Sequence, residues 1–257
     1  MLVAPRVRRL VGPNPSLMTG PGTNTYLIGE RAVGVVDAGP DLPEHVAAIL
    51  AAVAEGGGQV AALLVTHGHS DHLPATYPLK ERTGAPIWGH PSIGGVDHPL
   101  RDGDAVEAGH LRLVAFETPG HAADHLCFWL AAERLLFSGD LIAGQGTVVL
   151  SRAPGALTQY LASLNRVRDL GPQTILPGHD PVVADGQAKL QEYLDHQAMH
   201  SRQILDALQT GPATVNAIVA RLYVDTPSGL RPMAAHNVLT HLKHLKGQGA
   251  VTRTDEL

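Results

Sequence analysis

A single cysteine, Cys127, stands among the 257 residues, so no disulfide can form within the chain. That suits a reducing compartment, and the cytoplasm is the expected one. Long apolar runs are missing as well. No stretch approaches the roughly 18 apolar residues needed to span a bilayer, so no membrane contact is expected. The opening M-L-V-A-P-R-V-R-R-L-V carries arginines but lacks the continuous apolar segment of a signal peptide. Positive charge is not in surplus: a net charge of −5 gives no general attraction for nucleic acid. Only the last part departs from this, residues 200–257 carrying six Lys/Arg against four Asp/Glu together with His200, His236, His241 and His244. No internal repeat or low-complexity tract is visible. A hydrophobic fraction of 44% and a charged fraction of 17% describe a globule with a sizeable core. The length accommodates a domain of about 180–200 residues and a small module.

What the chain does have is ligand density. Thr66–His72 reads T-H-G-H-S-D-H and follows an apolar run, Val60–Val65, that reads as a buried strand. His67 and His69 are two apart, so on an extended or tightly turned backbone both imidazoles can point the same way. Asp71 and His72 form a second pair further along the loop. Three further segments repeat the design: L-V-A-F-E-T-P-G-H ending at His121, L-L-F-S-G-D ending at Asp140, and T-I-L-P-G-H ending at His179. Each is an apolar strand, a turn and one potential ligand, with a glycine (Gly120, Gly139, Gly178) immediately before that ligand to permit a sharp turn or a close approach. Imidazole and carboxylate suit zinc and its neighbours. Seven ligands exceed one tetrahedral ion and suit two ions that share a carboxylate.

H-x-H-x-D-H followed by separate His, Asp and His ligands resembles the metallo-β-lactamase superfamily, and the matching positions span residues 17 to 185. The resemblance implies an α/β fold, a four-layer αββα sandwich. It also implies one ion on His67, His69 and His121, a second on Asp71, His72 and His179, and Asp140 bridging them. Zinc is the first expectation, with manganese or iron as alternatives. Where penicillin-destroying members place a cysteine, this chain has Asp140, which argues against antibiotic hydrolysis; Cys127 lies instead in the strand-like H-L-C-F-W-L.

Along the chain, T-G-P-G-T-N at 19–24 forms a loop before strands at Thr25–Ile28 and Val33–Val36. Asp41 with Glu44 reads as a capping box for a helix ending at Glu55. Further helices are expected over Asp71–Arg82, Ala156–Leu170 and Asp185–Gln209, with a possible short strand at Val148–Leu150. In H-A-A-D-H, Asp124 and His125 are candidates for contacts behind the ligands or with substrate, whereas His90, His98 and His110 read as ordinary loop histidines. From Ser201, the stripes Ile204-Leu205-Leu208, Val215-Ile218-Val219-Leu222 and Val238-Leu242-Leu245 indicate three helices, and G-A-V-T-R-T suggests a wing hairpin. The expected division is a catalytic domain over 1–185 and a linking helix with a winged-helix-like module over 186–257.

That module, with its A-H-N-V-L-T-H-L-K-H-L-K stretch, resembles the C-terminal part of the lactamase-beta-like endoribonuclease branch. The resemblance implies a single-stranded RNA substrate met by His236, His241, Lys243 and His244. Two alternatives stand beside it: a module that only packs on the catalytic domain or supports a homodimer, and a small-molecule thioester, ester or lactone substrate, as in glyoxalase-II-like branches. In either case the expected chemistry is hydrolysis by a metal-bridging hydroxide, with Asp71 as the catalytic carboxylate that orients it and moves its proton.

Overall fold

Strands covered on both faces read as unbroken apolar runs, and this chain is built on several of them. The computed structural model describes residues 1–253. Its first sheet has seven strands in chain order: β1 (Leu2–Ala4), β2 (Val7–Val11), β3 (Asn24–Ile28), β4 (Ala32–Val36), β5 (Gln59–Leu64), β6 (Ile87–Gly89) and β7 (His98–Pro99). Pairing is antiparallel as far as β4 and parallel from β4 to β7. The second sheet has five: β8 (Ala105–Ala108), β9 (Leu111–Glu117), β10 (Leu126–Leu130), β11 (Leu135–Gly139) and β12 (Thr174–Pro177). Only β11 and β12 run parallel there. A loop joins β6 to β7, and helices make the other parallel crossovers. They are α1 (Pro43–Glu55), α2 (Thr76–Thr83) and α3 (Ala156–Asp169), and α4 (Gly186–Leu208), α5 (Val215–Leu222) and α6 (Arg231–Gly247) close the chain.

Alternation within β10 shows how the layers stack. Leu126, Phe128 and Leu130 point into the core between the sheets with Ile28, Leu64 and Phe137, while Cys127 and Trp129 point the other way, toward Leu157, Tyr160 and Leu164 of α3. On the first sheet the outer face is covered by Val46, Ile49 and Val53 of α1 and Leu79 of α2. The result is the αββα sandwich expected. Each fully buried Leu or Phe in it contributes about 1.5–3 kcal/mol relative to exposure. The long helix α4 serves two cores: Leu190 and Tyr193 pack in the α3 layer, whereas Ile204 joins Ile218, Val238 and Leu245 in a separate small core. Among the described residues no helix is long and apolar enough to cross a membrane.

Four local expectations need correction. The capping box at Asp41 and Glu44 does not form: the helix starts at Pro43, with Leu42 as its extended N-cap and no side-chain cap. The residue before a proline is driven out of the helical region, which moves the boundary past Asp41. The helix expected from Asp71 begins only at Thr76, because Pro74 interrupts it and residues 71–75 form turns. Val148–Leu150 is not a strand. No strand forms over Gly249–Arg253 either, and the rest of the proposed wing, from Thr254, lies outside the described residues.

The turn after β9 needs its glycine. Gly120 has φ +144°, and a Cβ there would lie 2.6 Å from Tyr160 Cα. Gly120→Ala is therefore expected to cost about 3 kcal/mol or more and to lower the melting temperature by about 6–12 °C, measured by calorimetry. A variant as stable as the parent would show that this turn relaxes freely.

Candidate metal centre

Parallel neighbours bring their C-terminal ends to one edge of a sheet, and here both sheets present that edge to the same place. Beyond β5 lie Thr66, His67 and His69. Beyond β11 and β12 lie Asp140 and His179, and the turn after β9 delivers His121. All seven candidate ligands meet there, in two groups of atoms within 4.8 Å of one another: His67, His69, His121 and Asp140 in one, and Asp71, His72 and His179 in the other.

In the first group His67 Nε2 lies 2.9 Å and His121 Nε2 3.0 Å from His69 Nδ1. In the second, His72 Nε2 is 3.3 Å from His179 Nε2, and Asp71 Oδ2 is 3.2 Å from His179 Nε2. Asp140 stands between the groups. Its Oδ2 is 3.4 Å from His121 Nε2, and its Oδ1 is 3.4 Å from both His72 Nε2 and His179 Nε2. Two ligands bound tetrahedrally to one ion at about 2.0–2.1 Å stand about 3.3 Å apart, so these spacings suit shared cations.

Hydrogen bonds behind the rings decide which nitrogens face inward. His121 Nδ1–H donates to the Val149 carbonyl at 2.7 Å, and His72 Nδ1–H donates to Asp37 Oδ2 at 2.9 Å. Thr66 donates its hydroxyl proton to Asp37 Oδ2 at 2.8 Å, so its oxygen accepts from His67 Nδ1–H at 3.0 Å. In all three rings the proton is held outside and the Nε2 lone pair is turned in. Asp37 also accepts from the Thr66 backbone N–H at 2.8 Å. One buried carboxylate thereby orients a ligand in each group.

Electrostatics agree with a place for cations. Burial raises the Asp140 carboxyl, but the neighbouring His72 and His179 outweigh it and hold the group well below the usual carboxylate range. Burial acts likewise on Asp71, yet His179 and His72 bring it down to about 2. His179 is lowered by burial and raised more strongly by Asp140 and Asp71, to about 9. Burial keeps His67 and His121 below the ordinary histidine value. Asp140 Oδ1 is buried without a hydrogen-bond partner. An orphaned carboxylate oxygen facing two imidazole nitrogens is what a divalent cation would satisfy, so these residues fit a metal pair.

The two candidates in H-A-A-D-H divide the supporting work. His125 Nε2 accepts from the Asp140 backbone N–H at 3.1 Å, and its Nδ1–H donates to Thr118 Oγ1 at 2.8 Å. Burial, followed by the His121 charge, lowers it to about 3, so it stays neutral. Asp124 accepts from the Gly68 backbone at 3.0 Å and lines the cleft above the centre. Gly178 has no room for a side chain, since a Cβ would lie 2.5 Å from Asp140 Oδ1. Cys127 is no ligand: it is buried in β10, and burial pushes its thiol up to about 12. Of the residues expected to meet a phosphate backbone, only Lys243 is exposed. His241 is buried against Ser201, His244 pairs with Thr158, and His236 bonds to Leu150. Asp37 escaped the sequence reading because D-A-G-P signals a turn and nothing more; a carboxylate ending one apolar strand beside another was the available sign.

Comparison with known proteins follows the same line. The family model of the Metallo-beta-lactamase superfamily matches residues 18–96 and 91–179, and that of the Beta-lactamase associated winged helix domain matches 214–256. A Beta-lactamase-like protein 2 homolog from Caenorhabditis elegans is 36% identical, covering 95% of this chain and 85% of its own length. An Atrochrysone carboxyl ACP thioesterase from Aspergillus chevalieri is 33% identical over 90% of this chain and 78% of that protein. The crystal structure of a metallo-beta-lactamase family protein from Thermus thermophilus superimposes with a TM-score of 0.81 at 25% identity, covering 98% of this chain and 97% of that one.

Asp37→Asn keeps the shape of the side chain but not its capacity to accept three hydrogen bonds. Metal affinity, measured by competition with a chelating dye, is expected to fall about 10–100-fold, with an unchanged far-ultraviolet circular dichroism spectrum. Unaltered affinity would remove Asp37 from the centre.

Proposed function

This chain is a metal-dependent hydrolase that belongs to the metallo-β-lactamase superfamily, and from that premise we propose that it cleaves carboxylic thioesters at a centre of two divalent metal ions. The observation that carries the reading is the composition of the cleft above the ligands, a space of about 540 Å³. Its walls include Met18, Ala122, Val149 and Leu150. Among the described residues, Arg152 is the single Lys or Arg that lines it, and no Phe, Tyr or Trp does. A single-stranded RNA track needs a cationic groove and aromatic platforms for the bases. An acyl chain needs only apolar wall beside the reacting carbonyl, and Met18, 55% exposed at the mouth, adds to that wall. Thioesterase chemistry in a relative 33% identical over 90% of this chain supports the same choice.

His67, His69 and His121 would hold one ion, and Asp71, His72 and His179 the other, with Asp140 offering one oxygen to each side. Bound there, divalent metal ions activate water near neutral pH and polarise the carbonyl under attack. The chain's own residues do the rest. Asp71 lies at the cleft, one quarter exposed, with its Oδ2 3.4 Å from Thr23 Oγ1. It is the ligand carboxylate best placed to orient the attacking water and carry its proton away. Hydrolysis forms the acyl C–O bond, breaks the C–S bond and releases a carboxylic acid and a thiol. A thiolate, with an ordinary pKa near 8.5, leaves with little assistance. That suits a cleft whose carboxylates number only Asp71, Asp124 and Asp140 among the described residues.

A panel of metal-loaded protein with S-lactoylglutathione, an acyl N-acetylcysteamine thioester, an acyl lactone, bis(p-nitrophenyl) phosphate, labelled single-stranded RNA and a cephalosporin tests this. The thioesters are expected to turn over, and Asp71→Asn to lower their kcat/KM by about 100-fold or more. Cleavage of RNA with both thioesters untouched would overturn the choice of substrate while leaving the hydrolase intact.

A further inference from the structure

The segment between β11 and α3 passes over the centre, and three consecutive residues in it are tied in alternating directions. The Val149 carbonyl accepts from His121 Nδ1–H at 2.7 Å, and Ser151 N–H donates to the Gly120 carbonyl at 2.8 Å, so both face the turn that carries His121. Between them, the Leu150 carbonyl turns away and accepts from His236 Nε2–H of α6 at 2.9 Å. This alternation of hydrogen bonds is that of a strand, but the partners are a turn on one side and an imidazole on the other. That is why no ladder forms at Val148–Leu150.

Resting on the metal-centre reading above but independent of the substrate, we propose that His236 is a positioning residue for that centre. It fixes the strap Val149–Ser151 from the side of the C-terminal module, and the strap fixes the His121 ring through the Val149 carbonyl. The link from His236 to His121 is short: one hydrogen bond, one peptide unit and a second hydrogen bond. Its effects are specific. A slack strap leaves the Val149 carbonyl free to withdraw, the His121 ring free to rotate or change tautomer, and the cleft wall at Val149 and Leu150 loose. A second contact of α6 with the catalytic layers, His244 with Thr158 at 2.8 Å, touches neither the strap nor a ligand and serves as the control.

The test compares full-length His236→Ala, His236→Gln and Thr158→Val with the parent, using chelator competition for metal affinity, calorimetry for stability and steady-state kinetics on the thioesters. His236→Ala is expected to weaken one of the two bound ions about tenfold, the effect typical of losing a group behind a ligand, and to lower kcat more than it raises KM. His236→Gln, whose amide can still donate to the Leu150 carbonyl, is expected to recover part of the affinity, and Thr158→Val to bind metal like the parent. Parental affinity in His236→Ala would overturn the inference, as would an equal loss in Thr158→Val, which would mark general loosening of the module. Should His236→Ala fail to fold, ¹⁵N-histidine spectra of the parent decide: an Nε2-protonated His236 ring is expected, and the opposite tautomer would exclude the hydrogen bond. A parent chain that takes up no metal would overturn the centre and this inference together, whereas failure on thioesters alone would leave the metal measurements standing.

Discussion

Imidazole lone pairs and carboxylate oxygens held about three ångströms apart repel one another unless a proton or a cation sits between them. This structure holds seven such groups in that arrangement and steadies three of the rings, His67, His72 and His121, from behind, with their protons pinned on the outer faces. Asp37 is the clearest instance, since it accepts from both His72 and Thr66 and, through Thr66, settles the His67 ring. The cost of burying that charge is offset by three hydrogen bonds, two of them to a residue of the neighbouring parallel strand's end. Remove the parallel register of β4 and β5, and Asp37 no longer faces Thr66. The chemistry of the centre thus depends on sheet pairing as directly as on the ligands.

The convergence of the seven candidate ligands was readable from the sequence because their signal is local. T-H-G-H-S-D-H packs four donors into one loop, and each remaining ligand follows an apolar strand and a glycine. The buried strands were readable for a related reason, since runs such as L-C-F-W-L and A-A-L-L-V are apolar on both faces, which no amphipathic helix matches; their arrangement as a sandwich followed from the family resemblance. What stayed hidden depends on partners distant in sequence. β2, V-R-R-L-V, looks like a charged start to the chain until Arg8 is seen to bond to the Ala52 carbonyl and Arg9 to that of Asp180. The capping box failed because Pro43 overrode a favourable side-chain pairing. The histidines of α6 suggested a phosphate surface, but burial and internal bonds occupy His236, His241 and His244, and no local pattern records whether an imidazole is already engaged.

The supporting groups around the ligands are mostly neutral or backbone: the Val149 carbonyl, the Thr66 and Thr118 hydroxyls, and His125, which burial keeps uncharged. Neutral support holds a ring without adding charge that would compete with a bound ion. Charged support behind the rings comes from Asp37, itself buried, whereas Val149 and Leu150 line the cleft. The electrostatic character of the centre is therefore set in its interior, while the mouth is left to shape and apolar contact.

The long helix α4 has a mechanical consequence. Its first half is clamped by the layer outside the second sheet, and its last turns form part of the small core with α5 and α6. A rod anchored at both ends cannot fray at one without loosening its grip at the other. Amide protons along it should exchange with solvent at rates set by opening of the entire chain, and the module should not melt away first as a detachable appendage.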